Sequence, residues 1–190
     1  SRRFERDDMR NARVTEYCKR YVEKWDKMAE NNIGMLFYGP VGTGKSFYAC
    51  AIANALIDRG VSAVVTSLPK IIAEMQDRSA PARALTERIR DCGLLVIDDL
   101  GAERNTAFAL ECAYDVVDGR SRSGKPLIVT TNLTRSELAN PPDLKYGRVY
   151  DRVLEMCPLH IRLDGESRRP SNARDKRALA KELLGGEGIG

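Results

Sequence analysis

Eight residues, Gly-Pro-Val-Gly-Thr-Gly-Lys-Ser at positions 39–46, constrain this chain more than any other stretch. A glycine, four further residues and then Gly-Lys-Ser form a loop whose backbone N–H groups can surround a polyphosphate. Gly42 and Gly44 allow that close approach because they carry no Cβ. Lys45 can reach the outer phosphates, and the Ser46 hydroxyl can bind Mg²⁺. The expected contact residues are Gly39, Pro40, Val41, Gly42, Thr43, Gly44, Lys45, Ser46 and Phe47.

The flanks of this loop favour a phosphate-binding function. Residues 35–38 (Met-Leu-Phe-Tyr) are a short apolar run typical of a buried strand, and residues 46–57 are predicted to be helical. In that order the N-terminus of the helix faces the anion, where its backbone N–H groups and its dipole attract negative charge. A plain glycine turn between a strand and a helix is the alternative interpretation.

The rest of the sequence alternates between strand and helix patterns. Further strands are predicted at 61–66, 94–97, 127–131 and 158–163, and helices at 4–30, 70–78, 82–90, 106–120, 146–156 and 171–184. This alternation predicts an α/β fold of three layers around a central parallel sheet of five strands. We divide the chain into an N-terminal amphipathic helix or linker (1–30), a main domain (31–184) and a flexible tail (185–190).

Composition narrows the class of protein. With 190 residues, 43% of them hydrophobic and 31% charged, the chain is predicted to form one globular domain. It has no membrane-spanning apolar run, no signal peptide and no CxxC pair among its five cysteines, so we expect a cytoplasmic location, no membrane and no zinc. The net charge of +4 argues only weakly for an anionic partner, and His160 is expected on the surface. Because the chain starts at Ser1 rather than methionine, we expect an excised or processed domain.

Polar residues follow the third and fourth predicted strands. Asp98 and Asp99 come directly after the apolar run 94–97, and ligands of such sheets bind at the carboxyl ends of the strands. Asp98 is the expected outer ligand of Mg²⁺, and Asp99 is expected to orient or deprotonate the attacking water. The alternative for Asp99 is a cap of the following turn. Asn132 can hydrogen-bond the γ-phosphate or the water, although asparagine is also common at the start of a loop.

Arginines are the candidate residues in the last third of the chain. Arg148 and Arg152 are four residues apart and share one helix face, where paired arginines are usually solvated. An arginine on a rigid helix is also what an arginine finger requires. Arg168 and Arg169 follow the last predicted strand and could reach the nucleotide from the C-terminal side.

In this order the motifs resemble those of the AAA+ ATPases. Within that class the sequence is most similar to replicative-helicase loaders of the DnaC/DnaI type, with the IstB transposition helpers close by. The resemblance covers about residues 30–184 and rests on three phrases, at 97–104 (Ile-Asp-Asp-Leu-Gly-Ala-Glu-Arg), 127–133 (Leu-Ile-Val-Thr-Thr-Asn-Leu) and 148–152 (Arg-Val-Tyr-Asp-Arg).

The resemblance implies a role for each motif and a reduced C-terminal lid of one helix. The roles, in chain order, are Walker A for Lys45 and Ser46, Walker B for Asp98 and Asp99, sensor I for Asn132, arginine finger for Arg152 with Arg148 beside it, and sensor II for Arg169 or Arg168.

The resemblance also implies ligands and partners. We expect ATP or ADP with Mg²⁺, a hexameric replicative helicase, single-stranded DNA, and self-association into a ring or helical oligomer. The two helices predicted between 67 and 93 match an insertion that contacts single-stranded DNA, with Thr66, Ser67 and Lys70 at its start. Non-specific phosphate contacts are expected from Lys70 and Arg78, or from a basic turn that contains Arg120, Arg122 and Lys125.

The function that we expect is ATP-dependent loading of a replicative DNA helicase onto single-stranded DNA. Most AAA+ ATPases carry glutamate where Asp99 stands, and a shorter acid lies farther from the water, so we expect slow, assembly-dependent hydrolysis. An IstB-like transposition helper and a nucleotide-gated DNA-binding switch with little turnover are the alternatives. A small-molecule kinase is disfavoured because the arginines after residue 140 lie in helical register rather than in a lid loop.

Overall fold

A parallel sheet of five strands organises the fold. The computed structural model describes residues 2–7, 11–76, 80–102, 106–141, 146–165, 167, 174, 176–180 and 183. The strands are β1 (Met35–Tyr38), β2 (Ala63–Thr66), β3 (Leu94–Leu100), β4 (Leu127–Thr131) and β5 (Leu159–Arg162). They run in the order β2-β3-β4-β1-β5 with every pairing parallel, so the predicted five-stranded parallel sheet is confirmed.

Helices cover both faces of this sheet. They are α1 (Ala12–Glu23), α2 (Trp25–Glu30), α3 (Lys45–Asp58), α4 (Leu68–Gln76), α5 (Ala80–Asp91), α6 (Ala107–Arg122), α7 (Arg135–Ala139) and α8 (Gly147–Met156). In β1, Leu36 packs with residues of α4, α6 and α8, whereas Met35 and Phe37 pack with residues of α1 and α3. Alternate residues of a strand point to opposite faces, so the two core clusters define three layers.

The strand order places the phosphate loop between the ends of β4 and β5 at the carboxyl edge. The loop follows β1, which pairs with β4 on one side and with β5 on the other. Because all strands are parallel, the ends of β1, β3 and β4 lie along the same edge of the sheet. This topology brings the loop and the polar residues after β3 and β4 to one edge.

The N-terminal region is divided more finely than the single predicted helix. Residues Phe4–Arg6 form one 3₁₀ turn, and α1 and α2 are separated by Lys24. Lys24 is the last residue whose N–H bonds back into α1, to the carbonyl oxygen of Arg20 at 3.0 Å, and it is also the N-cap of α2. None of the described helices is both long and apolar enough to cross a membrane.

The basic turn predicted at residues 120–125 is not a free cationic surface. Arg120 is buried, with 2% of its surface exposed, and its guanidinium donates to the carbonyl oxygens of Cys92 (2.8 Å), Gly93 (2.7 Å) and Pro126 (2.8 Å). Lys125 Nζ donates to the Asp91 carbonyl oxygen at 2.8 Å. The prediction that Arg120 contacts DNA is therefore wrong, because the backbone already uses its donors.

Two further side chains differ from expectation. Phe108 is of a residue type that is usually buried but is 41% exposed, because the buried face of α6 runs through positions 109, 112, 113, 116, 117, 118 and 120. His160 on β5 is half-buried rather than exposed, and its Nε2 has no hydrogen-bond partner. Burial, and after it the positive charge of Arg135, lower the pKa of His160 below its ordinary value.

Candidate nucleotide-binding site

The loop after β1 has the backbone shape that its glycines suggest. Gly39, Gly42 and Gly44 have φ of 129°, 83° and 104°, in the left-handed region that favours glycine. A Cβ on Gly39 would lie 2.2 Å from the Leu163 carbonyl oxygen, and one on Gly42 would lie 2.1 Å from Ser167 Oγ. Glycine is needed at both positions for conformation and for space, because the segment after β5 packs directly on the loop.

Lys45 lies inside the loop rather than in solvent. Its Nζ donates to the carbonyl oxygens of Gly39 (2.7 Å) and Pro40 (2.6 Å), and only 6% of the residue is exposed. Thr43 Oγ1 also donates to the Pro40 carbonyl oxygen, at 2.9 Å. Lys45 is the first residue of α3, so the ammonium group and the positive end of the helix lie together, as anion binding requires.

Phe47 has a different environment from its neighbours in the loop. Its ring makes an edge contact with Tyr48, with centroids 5.4 Å apart, and it packs against the core cluster shared by α1 and α3. The Phe47 N–H bonds to the Gly44 carbonyl oxygen at 2.9 Å. The side chain predicted to contact nucleotide therefore packs, at least in part, against the protein core.

The two acids at the end of β3 lie in a β-bulge. Ile97 pairs with Val129, but the next pair is Leu100 with Thr131, so Asp98 and Asp99 together lie opposite one residue of β4. Asp99 has φ of 61°, a left-handed conformation that costs a non-glycine residue about 1–2 kcal/mol. In a regular strand the two side chains would point to opposite faces. The bulge lets both engage residues of the neighbouring strand and its end.

Side chains at the end of β4 hold this bulge. Thr130 Oγ1 donates to Asp98 Oδ1 at 2.6 Å and accepts from the Asp99 N–H at 2.9 Å. Asn132 Nδ2 donates to Asp99 Oδ1 at 2.6 Å. Thr131 Oγ1, by contrast, bonds to neither acid and donates to the Leu100 carbonyl oxygen beyond the bulge at 2.7 Å. Asp98 and Asp99, predicted from one motif, and Asn132, predicted from another, are thus joined in one hydrogen-bond network.

The two arginines of α8 are in different surroundings. Arg152 Nη1 donates to Glu155 Oε2 at 2.8 Å, and its Nε lies 3.5 Å from Asp118 Oδ1 on α6. These contacts, first of all the bond to Glu155, raise the pKa of the Arg152 guanidinium. Arg148, one turn earlier, is exposed and makes no ion pair within the part of the chain that the structure describes. Neither arginine contacts the loop 39–46 through the hydrogen bonds and ion pairs recorded for the described residues.

Several predicted residues lie outside the described part of the chain. Arg168 and Arg169, the sensor II candidates, are among them, although Ser167 just before them lies against Gly42. Arg78 and the tail 185–190 are also outside, as is much of the predicted C-terminal helix. Of the residues expected at the start of the DNA-binding insertion, Lys70 is exposed, whereas Thr66 is buried and its Oγ1 has no hydrogen-bond partner.

The donor set of the site fits Mg²⁺ held jointly with a nucleotide. Ser46 offers a hydroxyl oxygen and Asp98 a carboxylate, and Mg²⁺ prefers oxygen ligands. Within the described residues, no three His, Cys, Asp or Glu side chains come together as a metal cage. Mg²⁺ bound through one or two protein oxygens, phosphate oxygens and waters does not require such a cage.

Comparison with known proteins assigns the family. The model of the IstB-like ATP binding proteins matches residues 15–176, most of the chain and all of the nucleotide site described above. The chain belongs to this family. Two curated relatives of this IstB-like protein are replicative helicase loaders. DnaI of Bacillus subtilis (strain 168) is 29% identical over 169 residues, 82% of this chain and 52% of that protein. DnaC of Escherichia coli (strain K12) is 32% identical over 140 residues, 72% of this chain and 55% of that protein.

The solved structures confirm the fold of the IstB-like chain. A crystal structure of DnaI has a TM-score of 0.71 and 22% identity, covering 87% of this chain and 89% of that chain. The predicted AAA+ type of phosphate-loop ATPase fold is therefore confirmed. The IstB-like chain spans about half the length of the curated relatives it matches, 52% for DnaI and 55% for DnaC.

Sequence reasoning missed several residues that contact the predicted site residues. Thr130 was recognised only as the end of a strand, Asp118 was not singled out, and the contact of Ser167 with Gly42 was not foreseen. The helical spacing of Asp118 with the buried positions of α6 was an available signal. The bulge had no such signal, since it depends on the pairing of two strands far apart in sequence.

Proposed function

We propose that this chain binds ATP in the loop 39–46 and hydrolyses it. The observation that carries the proposal is the bulged acid pair, bonded to Thr130 and Asn132, at the same sheet edge as the phosphate loop. Lys45 and the N-terminus of α3 bind and orient the β- and γ-phosphates. Asp99 holds the attacking water, and Asn132 fixes the Asp99 carboxylate.

The metal part of the proposal concerns Ser46 and Asp98. These two residues would hold Mg²⁺, which neutralises charge on the phosphate oxygens when it is bound. The Asp98 carboxylate is already fixed by the Thr130 hydroxyl at 2.6 Å, so it does not have to be ordered when the metal arrives. Asp99→Asn should retain ATP and hydrolyse it slowly, whereas Asp98→Asn should also weaken metal binding.

We further propose that the site is completed by a second subunit. Arg152 and Arg148 would approach the γ-phosphate bound by a neighbouring protomer, where an arginine supplied in trans is worth roughly 10³-fold or more in rate. Such head-to-tail contacts generate a closed ring or an open helix. The alternative function is a nucleotide-gated DNA-binding switch, in which Asp99 permits almost no ATP turnover.

In the whole protein, we propose that ATP binding and hydrolysis by this domain load a replicative DNA helicase onto single-stranded DNA. The support is the similarity to the helicase loaders DnaI and DnaC. Transposition helping is the second candidate, because the matching family model is that of the IstB-like ATP binding proteins. Affinity purification of the full-length protein with ATP distinguishes them, since a hexameric helicase or a transposase should be recovered.

The nucleotide assignment is tested by titration calorimetry with Mg-ATP. Lys45→Ala should lose tight binding, because it removes the main positive charge that faces the phosphates. Lys27→Ala is the matched control, since Lys27 is an exposed lysine on α2. Phosphate release with and without single-stranded DNA then measures turnover. An unchanged ATP affinity in Lys45→Ala would contradict the assignment of this loop.

A further inference from the structure

Thr130 is the one residue of β4 that lies opposite the bulge and contacts both of its acids. It is 1% exposed, and its hydroxyl bonds to the side chain of Asp98 and to the backbone of Asp99. We propose that Thr130 is the positioning residue of this site: one hydroxyl sets the Asp98 carboxylate for the metal and the Asp99 backbone for the water. The inference rests on the proposed ATP hydrolysis and identifies what orders its acidic residues.

The direction of the two hydrogen bonds is fixed by chemistry. A backbone N–H can only donate, so the Thr130 oxygen must accept from Asp99. A threonine hydroxyl has a single hydrogen, which is then free to be donated to Asp98 Oδ1. The separation of 2.6 Å is typical of a hydroxyl that donates to a carboxylate. Both hydrogen-bonding functions of Thr130 are therefore used, one for each acid.

The bulge explains why a side chain is needed here. Where two residues of one strand face one residue of the next, the regular backbone ladder is interrupted. At that point the Asp99 N–H bonds to the side-chain oxygen of Thr130 instead of a strand carbonyl. Asp99 also has the unfavourable φ of 61°. Without the hydroxyl, the Asp99 N–H would lose this partner and the Asp98 carboxylate would be free to rotate.

Two substitutions of Thr130 separate the role of its hydroxyl group from the role of its side-chain shape. Thr130→Val keeps the volume and branching but removes both hydrogen bonds, whereas Thr130→Ser keeps the hydroxyl. Thr131→Val is the matched control in the same strand. Thr131 is also fully buried, with its Oγ1 bonded to the Leu100 carbonyl oxygen (2.7 Å) and the Leu133 N–H (3.1 Å), but it does not bond to Asp98 or to the Asp99 N–H.

The experiment measures ATP affinity by calorimetry, in EDTA and across a Mg²⁺ series, and the Mg²⁺ dependence of phosphate release. Thr130→Val should bind ATP in EDTA within about twofold of the parent protein, because Lys45 and the loop are unchanged. Its Mg²⁺ requirement should rise about 10- to 100-fold, as is typical when a group that orients a metal ligand is lost. Thr130→Ser and Thr131→Val should keep the parent Mg²⁺ requirement, even though Thr131→Val also loses stability.

The outcomes distinguish this inference from the proposed function. If the parent protein does not bind ATP, the proposed function fails and the inference fails with it. If the parent binds and hydrolyses ATP but Thr130→Val keeps the parent Mg²⁺ requirement, or Thr131→Val raises it equally, only the inference fails. Should Thr130→Val not fold, Thr130→Cys, which offers only a weak donor and acceptor, gives the same comparison.

Discussion

The burial of Arg120 leads to a sharp prediction about stability. The guanidinium joins the end of α5 and the start of β3 to the turn before β4, through the carbonyl oxygens of Cys92, Gly93 and Pro126. Burial lowers the pKa of the guanidinium, but an arginine remains charged at neutral pH. We expect Arg120→Met to destabilise the fold, because the methionine fills space but donates no hydrogen bond.

The magnitude follows from the carbonyl groups that lose a donor. The Cys92 carbonyl oxygen bonds to Arg120 in buried surroundings, and a buried polar group left without a partner costs about 1–3 kcal/mol. The Pro126 carbonyl oxygen keeps the Leu95 N–H at 3.4 Å but loses its shorter bond to the guanidinium, and a hydrogen bond to a charged group contributes about 1.5–3 kcal/mol. The third carbonyl, of Gly93, is only partly buried and can be reached by water. The substitution also removes the free-energy cost of burying the guanidinium charge, and this offsets part of the lost stability. We therefore expect a net loss of about 3 kcal/mol, which in a domain of this size lowers Tm by about 6–12 °C.

The assay is thermal unfolding followed by circular dichroism, with Arg122→Met as the control. Arg122 lies two residues later on the same helix, but its side chain is 76% exposed and it pairs with Asp118. The Arg122 guanidinium is in solvent, and the buried Asp118 keeps Arg152 Nε at 3.5 Å as a second cationic partner, so this control should lose only about 0–1 kcal/mol and unfold close to the parent. Equal Tm values for the two variants would refute the structural role of Arg120. Below its Tm, Arg120→Met should also bind single-stranded DNA as the parent does.

Three further predictions concern the loop, the pH and the arginines. Gly42→Ala should abolish ATP binding in calorimetry, whereas Gly60→Ala, which has the same φ of 83° but open space around it, should lose about 1 kcal/mol of stability and keep its ATP affinity. The folded protein binds a proton on His160 less readily than the unfolded chain does, so stability should be fullest above about pH 6.5 and fall as the pH is lowered into the range of the depressed folded pKa. His160→Gln should flatten that decrease, and an unchanged pH profile of the unfolding midpoint would contradict it. Arg152→Ala should bind ATP normally and hydrolyse it slowly, and the rate per parent subunit should fall on dilution. A flat rate together with full activity of Arg152→Ala would show a self-contained site.

The sheet and the phosphate loop could be predicted because their signals are local. Buried parallel strands are continuous apolar runs, as at residues 94–97 and 127–129, and the spacing of glycine and lysine in the loop permits few alternatives. The bulge at Asp98 and Asp99 was not predictable in this way. One extra residue leaves no trace in periodicity and appears only when β3 is paired with β4.

Arg120 shows a different kind of error. The sequence Arg-Ser-Arg-Ser-Gly-Lys at 120–125 has the composition of a solvated turn, which is how it was interpreted. Helical spacing gives the opposite answer, since Arg120 lies three and seven residues after Val117 and Ala113, both fully buried. Where composition and periodicity disagree at the end of a helix, the position on the helix decides which donors reach the interior.

The contacts of Arg152 bear on how an arginine could act on a neighbouring subunit. Its guanidinium has five donors, of which Glu155 takes one on Nη1, while the nearly buried Asp118 lies near Nε. With 41% of the Arg152 side chain exposed, the pair with Glu155 contributes about 0–1 kcal/mol and can be exchanged at little cost. A phosphate in a dry interface offers a stronger, charge-assisted partner. The pairs within one subunit therefore hold Arg152 in place beside α6. They do not prevent its guanidinium from exchanging Glu155 for a phosphate bound by a neighbouring subunit, which is what the proposed arginine finger requires.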